Sequence, residues 1–127
     1  MLVTLLRRIL STTLLVLAVA APGSAKPTQS SFDGHWSVVI ITDAGTCDRS
    51  YRYGLVVSSG RIYYQGGTGV LISGAVDRRG RVSVNLRYGE SAAQGNGRLS
   101  TSDGAGRWHG ASSGALCSGH WLAERRD

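Results

Sequence analysis

The chain of 127 residues has few of several residue types, and each scarcity limits what it can be. It contains only two cysteines, two prolines, one methionine and one phenylalanine. Lys26 is its single lysine, so arginine supplies nearly all the positive charge. Two cysteines allow one disulfide and no more. The longest apolar stretch, residues 13–21, is too short to cross a bilayer, which takes about twenty residues. Catalytic signatures are missing as well. There is no Gly-x-Ser-x-Gly elbow, the acidic residues fall in turns or near the ends, and Gly95-Asn96-Gly97 lacks the helix that a phosphate-binding loop needs. An enzyme is not expected, nor is a cofactor.

What is present first is an export signal. Arg7 and Arg8 precede the apolar stretch, and Gly23-Ser24-Ala25 supplies small residues suited to a signal peptidase. Residues 1–25 therefore read as a signal peptide cleaved after Ala25, and no cysteine follows that would make a lipoprotein. Residues 26–33 are polar, carry Pro27 and read as a disordered N-terminal arm. Residues 34–127 remain for a single domain. In a periplasmic or extracellular compartment Cys47 and Cys117 are expected to be oxidised to one disulfide. Without the leader, 12 basic residues face 8 acidic ones, a balance of +4. Such mild positive charge favours anionic envelope ligands but is too sparse for nucleic acid, which is not an expected partner.

Polar and apolar residues alternate with a period of two along the domain, broken by Gly, Asp, Asn and Ser clusters. Eight strands are expected, near residues 34–42, 47–57, 61–65, 69–76, 81–86, 91–99, 105–112 and 116–125. The links are short, so neighbouring strands run antiparallel in a meander. Such a sheet protects its edges by closing into a barrel or by folding into a sandwich. The cysteines favour the barrel: Cys47 begins the second strand and Cys117 the eighth, and closure brings both to the end of the first, where a disulfide would tie the seam. The fold class is all-β, an eight-stranded antiparallel up-and-down barrel. Strand parity places Ala93, Gly95, Gly97 and Gly110 inward. This leaves either room for large rings opposite or a ligand cavity.

Gly-x-Trp occurs three times, at Trp36, Trp108 and Trp121, on strands that closure makes adjacent. The three rings are expected to gather toward one end with Arg125 beside them, as a structural cluster at the barrel floor. In this the chain resembles the calycin-like small barrels: lipocalins, avidins and the bacterial periplasmic inhibitors of secreted metalloproteases. Trp36 matches their first-strand Gly-x-Trp, and Arg125 the basic residue that packs over that ring in lipocalins. The chain also resembles small uncharacterised exported bacterial proteins. The resemblance implies architecture rather than activity, because no biotin-binding pattern and no further lipocalin motif is present.

Candidate binding residues are Tyr51, Tyr53 and Tyr64, which should rim the barrel mouth. His35, His109 and His120 each flank a tryptophan and should point outward. They are weak metal candidates, lacking ligand spacing, and no metal is assigned. The reading is a non-catalytic exported binding module for a small apolar or anionic envelope ligand. The alternatives are an inhibitor of a secreted protease acting through the N-terminal arm, and a structural envelope protein without a discrete ligand. The sequence does not specify an oligomeric state.

Overall fold

The computed structural model describes residues 15–21, 23 and 31–127. Residues 31–127 contain eight strands: β1 (Gly34–Ala44), β2 (Ser50–Ser58), β3 (Arg61–Tyr64), β4 (Val70–Val76), β5 (Arg81–Tyr88), β6 (Ser91–Leu99), β7 (Asp103–Ser112) and β8 (Ala115–Arg125). They close into one antiparallel barrel in chain order, with β8 returning to pair with β1. The meander and closure expected from the sequence are both present. Most of the expected leader and residues 26–30 of the arm lie outside the described residues, as does the expected cleavage point. Among the described residues no helix is long and apolar enough to cross a membrane.

Alternation in the sequence becomes inside and outside in the wall, because successive side chains of a strand point to opposite faces. On β1 and β2, Trp36 and Val57 are buried while His35 and Arg52 are exposed. The hairpins are tight for a local reason. Ser59 and Gly60 between β2 and β3, and Ser113 and Gly114 between β7 and β8, all have positive φ, the conformation a two-residue type I′ turn demands. Asp33 then accepts hydrogen bonds from the Ser59 and Gly60 amides at 2.8 and 3.2 Å, fastening the chain entry to the first hairpin.

One end of the barrel is closed by side chains. Trp36 is 2% exposed and packs in the buried cluster with Phe32, Val57, Val76, Leu99 and Ala123. Phe32 belongs to the stretch read as a disordered arm, yet its side chain is buried, its carbonyl accepts the Trp36 indole N–H at 2.9 Å, and its ring sits beside Gly80. The arm is therefore anchored from residue 31 onward. Burying the Phe32 ring gains about 1.5–3 kcal/mol, which offsets the cost of ordering one or two of the residues beside it, at about 1–2 kcal/mol each.

The covalent bond lies at the opposite end. Cys47 and Cys117 are joined, with alpha carbons 6.1 Å apart. Cys47 was expected to begin the second strand but lies in the β1–β2 loop, three residues before Ser50. From there it reaches Cys117 on β8 across the end of β1, where a register shift between Thr42 and Ala44 marks a bulge. The disulfide thus ties the β1–β2 loop to the strand that closes the barrel.

Pairing is uneven around the wall. Six of the eight interfaces have registers of seven or more residues, whereas β3 meets β4 only through Arg61↔Ala75 and Ile62↔Gly74. Beyond Ile62 the two strands part toward the mouth, and Gly66, Gly67 and Gly69 lie in the loop that joins them.

Candidate functional site

The barrel interior holds a cavity of about 80 Å³, lined among others by Trp36, Ile72, Val84, Ala93, Trp108 and Trp121. Its walls are almost wholly apolar. A single water needs only about 10–15 Å³ but also two to four polar partners, so a space of this size and lining suits hydrocarbon better than water. Toward the disulfide it adjoins a second cavity of about 90 Å³ bordered by Cys47, Tyr51, Tyr53, Tyr88, Ser91 and Ser112. Ile40, Tyr53, Leu86, Ala93 and Trp108 border both, so they form the throat between them.

The glycines of β6 and β7 account for this shape in two ways. A Cβ at Gly97 or Gly106 would run into the Trp121 indole, so these two make room for a large ring. Gly95 and Ala93, by contrast, border the cavity. The alternatives of ring accommodation and open space both hold, at different residues of the same strand.

The three tryptophans are fixed by hydrogen bonds to backbone carbonyls: Trp36 to Phe32, Trp108 to Ile41 at 2.8 Å and Trp121 to Asn96 at 3.2 Å. Each buried indole N–H is thereby satisfied, which fixes its ring as a rigid wall. The rings are stepped along β1 rather than massed at one end. Trp36 lies opposite Arg125, Trp121 opposite Ile40, and Trp108 beside Gly119, itself opposite Thr42. Arg125 reaches Trp36 alone, with its guanidinium 4.7 Å from the ring centroid.

Of the tyrosines chosen from sequence, Tyr51 and Tyr53 border the outer cavity. Tyr64 does not; it packs edge-on against Tyr53 with centroids 5.8 Å apart. Tyr88 borders that cavity too, and sequence reasoning missed it by ending the fifth strand at Leu86. The alternation Val82, Val84, Leu86 continues to Tyr88 and was the available signal. Burial pushes the Tyr53 phenol pKa above 10.0, and the neighbouring phenols of Tyr51, Tyr64 and Tyr88 push it the same way. Tyr53 therefore presents a neutral hydroxyl at the throat through the physiological range.

The histidines do not gather as a trio: His109 is diagonal to His120 across the β7–β8 ladder, and His35 lies at the other end of β1. His120 Nδ1 lies 2.7 Å from Asp43, His35 pairs with Asp127 at 3.7 Å, and His109 faces Gln94 and Ser118. Among the described residues no group of three or more His, Cys, Asp or Glu could hold a metal ion.

Fold and cavity together define a class: a small closed antiparallel barrel with an apolar interior, capped at one end and rimmed by tyrosines at the other, consistent with calycin-like architecture. Comparison with family models, curated proteins and solved structures yields no match.

Proposed function

We propose that the protein is a non-catalytic binding module, exported to the periplasm or beyond the cell, that takes a small apolar molecule into its barrel. The observation that carries this reading is the apolar cavity between Trp36 and Ala93, which shares its throat residues with the tyrosine-rimmed outer cavity. An apolar cavity of about 150 Å³ in another protein accepts benzene, so the inner cavity of about 80 Å³ takes a short alkyl chain by itself and an aromatic ring only together with the outer cavity of about 90 Å³. A hydroxyl or similar polar group on it would remain near Tyr53, Ser91 and Ser112, where oxygen atoms border the outer cavity. Export rests on the leader pattern and accords with the disulfide. The inhibitor reading has less chain to work with, because the barrel floor holds the arm from Ser31 onward.

Titration of the mature protein with toluene and 4-ethylphenol, followed by tryptophan fluorescence, tests the reading. Saturable quenching is expected, and Ala93→Phe, which fills the throat, should abolish it while leaving the thermal unfolding transition cooperative. Linear, unsaturable quenching in both proteins would refute the proposal.

A further inference from the structure

The outer surface of β5, β6 and β7 carries a feature that the barrel interior does not explain. Arg81 on β5 lies directly opposite Arg98 on β6, and all its wall neighbours on that face are polar or alanine. Arg107 on β7 lies opposite Asn96, which places it diagonally from Arg98. All three arginines are exposed, and among the described residues none forms an ion pair within 4.0 Å. Like charges placed directly across a ladder destabilise a sheet. Three carboxylates border the patch and each already has a partner. Asp77, which also feels the Arg81 charge, accepts the backbone amides of Arg79 and Arg81, Asp103 on β7 accepts from the Ser100 hydroxyl, and Asp43 is paired with His120.

Hydrogen-bonding groups fill the space between the charges. Ser83 lies opposite Asn96, and Asn85 opposite Gln94. The outward positions of these three strands hold no Phe, Tyr or Trp and no aliphatic side chain larger than alanine. Single-stranded nucleic acid is held by stacking on aromatic rings, and a lipid surface by inserted apolar side chains. This face supplies neither. Guanidinium forks that chelate oxyanions, interleaved with amides and hydroxyls that match sugar hydroxyls, suit an acidic glycan.

We propose that the outer face of β5–β7 binds an acidic polysaccharide, with sulfate or carboxylate groups on Arg81, Arg98 and Arg107 and sugar hydroxyls on Asn96, Ser83 and Gln94. This surface points away from the cavity and stands or falls independently of the ligand proposed there.

The test is binding of the mature protein to dextran sulfate at low ionic strength, with uncharged dextran, poly-dT and phosphatidylglycerol vesicles as comparators. Dextran sulfate should bind in a salt-sensitive manner and dextran should not. The variant Arg81→Gln/Arg98→Gln/Arg107→Gln should bind about tenfold or more weakly. The charge-matched variant Arg49→Gln/Arg52→Gln/Arg61→Gln should stay within about twofold of the parent. Single Arg98→Gln, at an exposed position, gives the same direction should the triple variant unfold. Equal weakening by both triple variants would reduce the effect to net charge and overturn the proposal. So would absence of dextran sulfate binding, or tighter binding of poly-dT or vesicles through the same arginines.

Discussion

Arg125 lies over Trp36, its guanidinium carbon 4.7 Å from the ring centroid, and these two residues are also register partners across the β1–β8 closure. The same guanidinium donates hydrogen bonds to the carbonyls of Thr101, Asp33 and Ser31 at 2.6, 2.6 and 2.7 Å. It therefore links the chain entry, the β6–β7 turn and the last strand above one buried indole. A desolvated cation-π contact is worth about 2 kcal/mol and each charged hydrogen bond about 1.5–3 kcal/mol before exposure discounts them. Arg125→Ala should lower the free energy of unfolding in urea by about 2–4 kcal/mol. Arg125→Lys, which keeps the charge but not the planar fork, should recover less than half. A loss under about 0.5 kcal/mol for the alanine variant would show that the clamp is ornamental.

The disulfide should matter for stability rather than for closure. It spans 70 residues, and chain-entropy arguments assign a loop of that length about 4 kcal/mol. Cys47→Ser/Cys117→Ser is expected to unfold at lower denaturant yet keep the β-sheet circular dichroism of the parent, since β1 and β8 pair along most of their length without it. A variant with no folded baseline at all would show that the seam depends on the bond.

Weak pairing between β3 and β4 predicts where the wall opens first. Backbone amides of β3 and of the mouth end of β4 should exchange with deuterium well before those of β7 and β8, whose ladder runs through ten residue pairs. Uniform protection around the barrel would contradict this.

Acid and base should act at named groups. The backbone amide of Arg81, followed by that of Arg79, stabilises the Asp77 carboxylate and holds its pKa below 3.8. Its contribution to the β4–β5 turn is present above that value and is lost as pH falls through the lower folded pKa. A carboxyl titration followed by NMR should give a midpoint under 3.8 for Asp77, with the Arg79 and Arg81 amides shifting in step. Tyr53 behaves in the opposite sense. From pH 10.0 upward the unfolded chain releases a phenol proton that the native state still holds, so stability falls as pH rises toward the folded pKa. Tyr53→Phe should flatten that alkaline decline, and an unchanged slope would contradict the assignment.

The wall was readable in the sequence because one alternating pattern fixes both the strand and the face it buries, as with Trp36, Val38 and Ile40 on β1. Closure was readable because Cys47 and Cys117 had to meet. Local pattern could not report residues whose position depends on distant partners. Phe32 is buried only because Gly80 and Trp36 leave it a place, and Cys47 lies in a loop because the β1–β2 pairing begins only at Ile41 and Ser50. The cavity likewise depends on how Trp121 settles against Gly97 and Gly106, a packing outcome that residue types alone leave open.

The proposed binding depends most on apolar space inside the barrel that a ligand can reach. Its most direct test is methyl-resolved NMR of the mature protein with saturating toluene, recording intermolecular NOEs. NOEs from toluene to the methyl groups of Ile72, Val84 and Ala93, absent in Ala93→Phe, are the predicted result. NOEs confined to the exposed Leu71 and Leu122, or none at saturation, would contradict it.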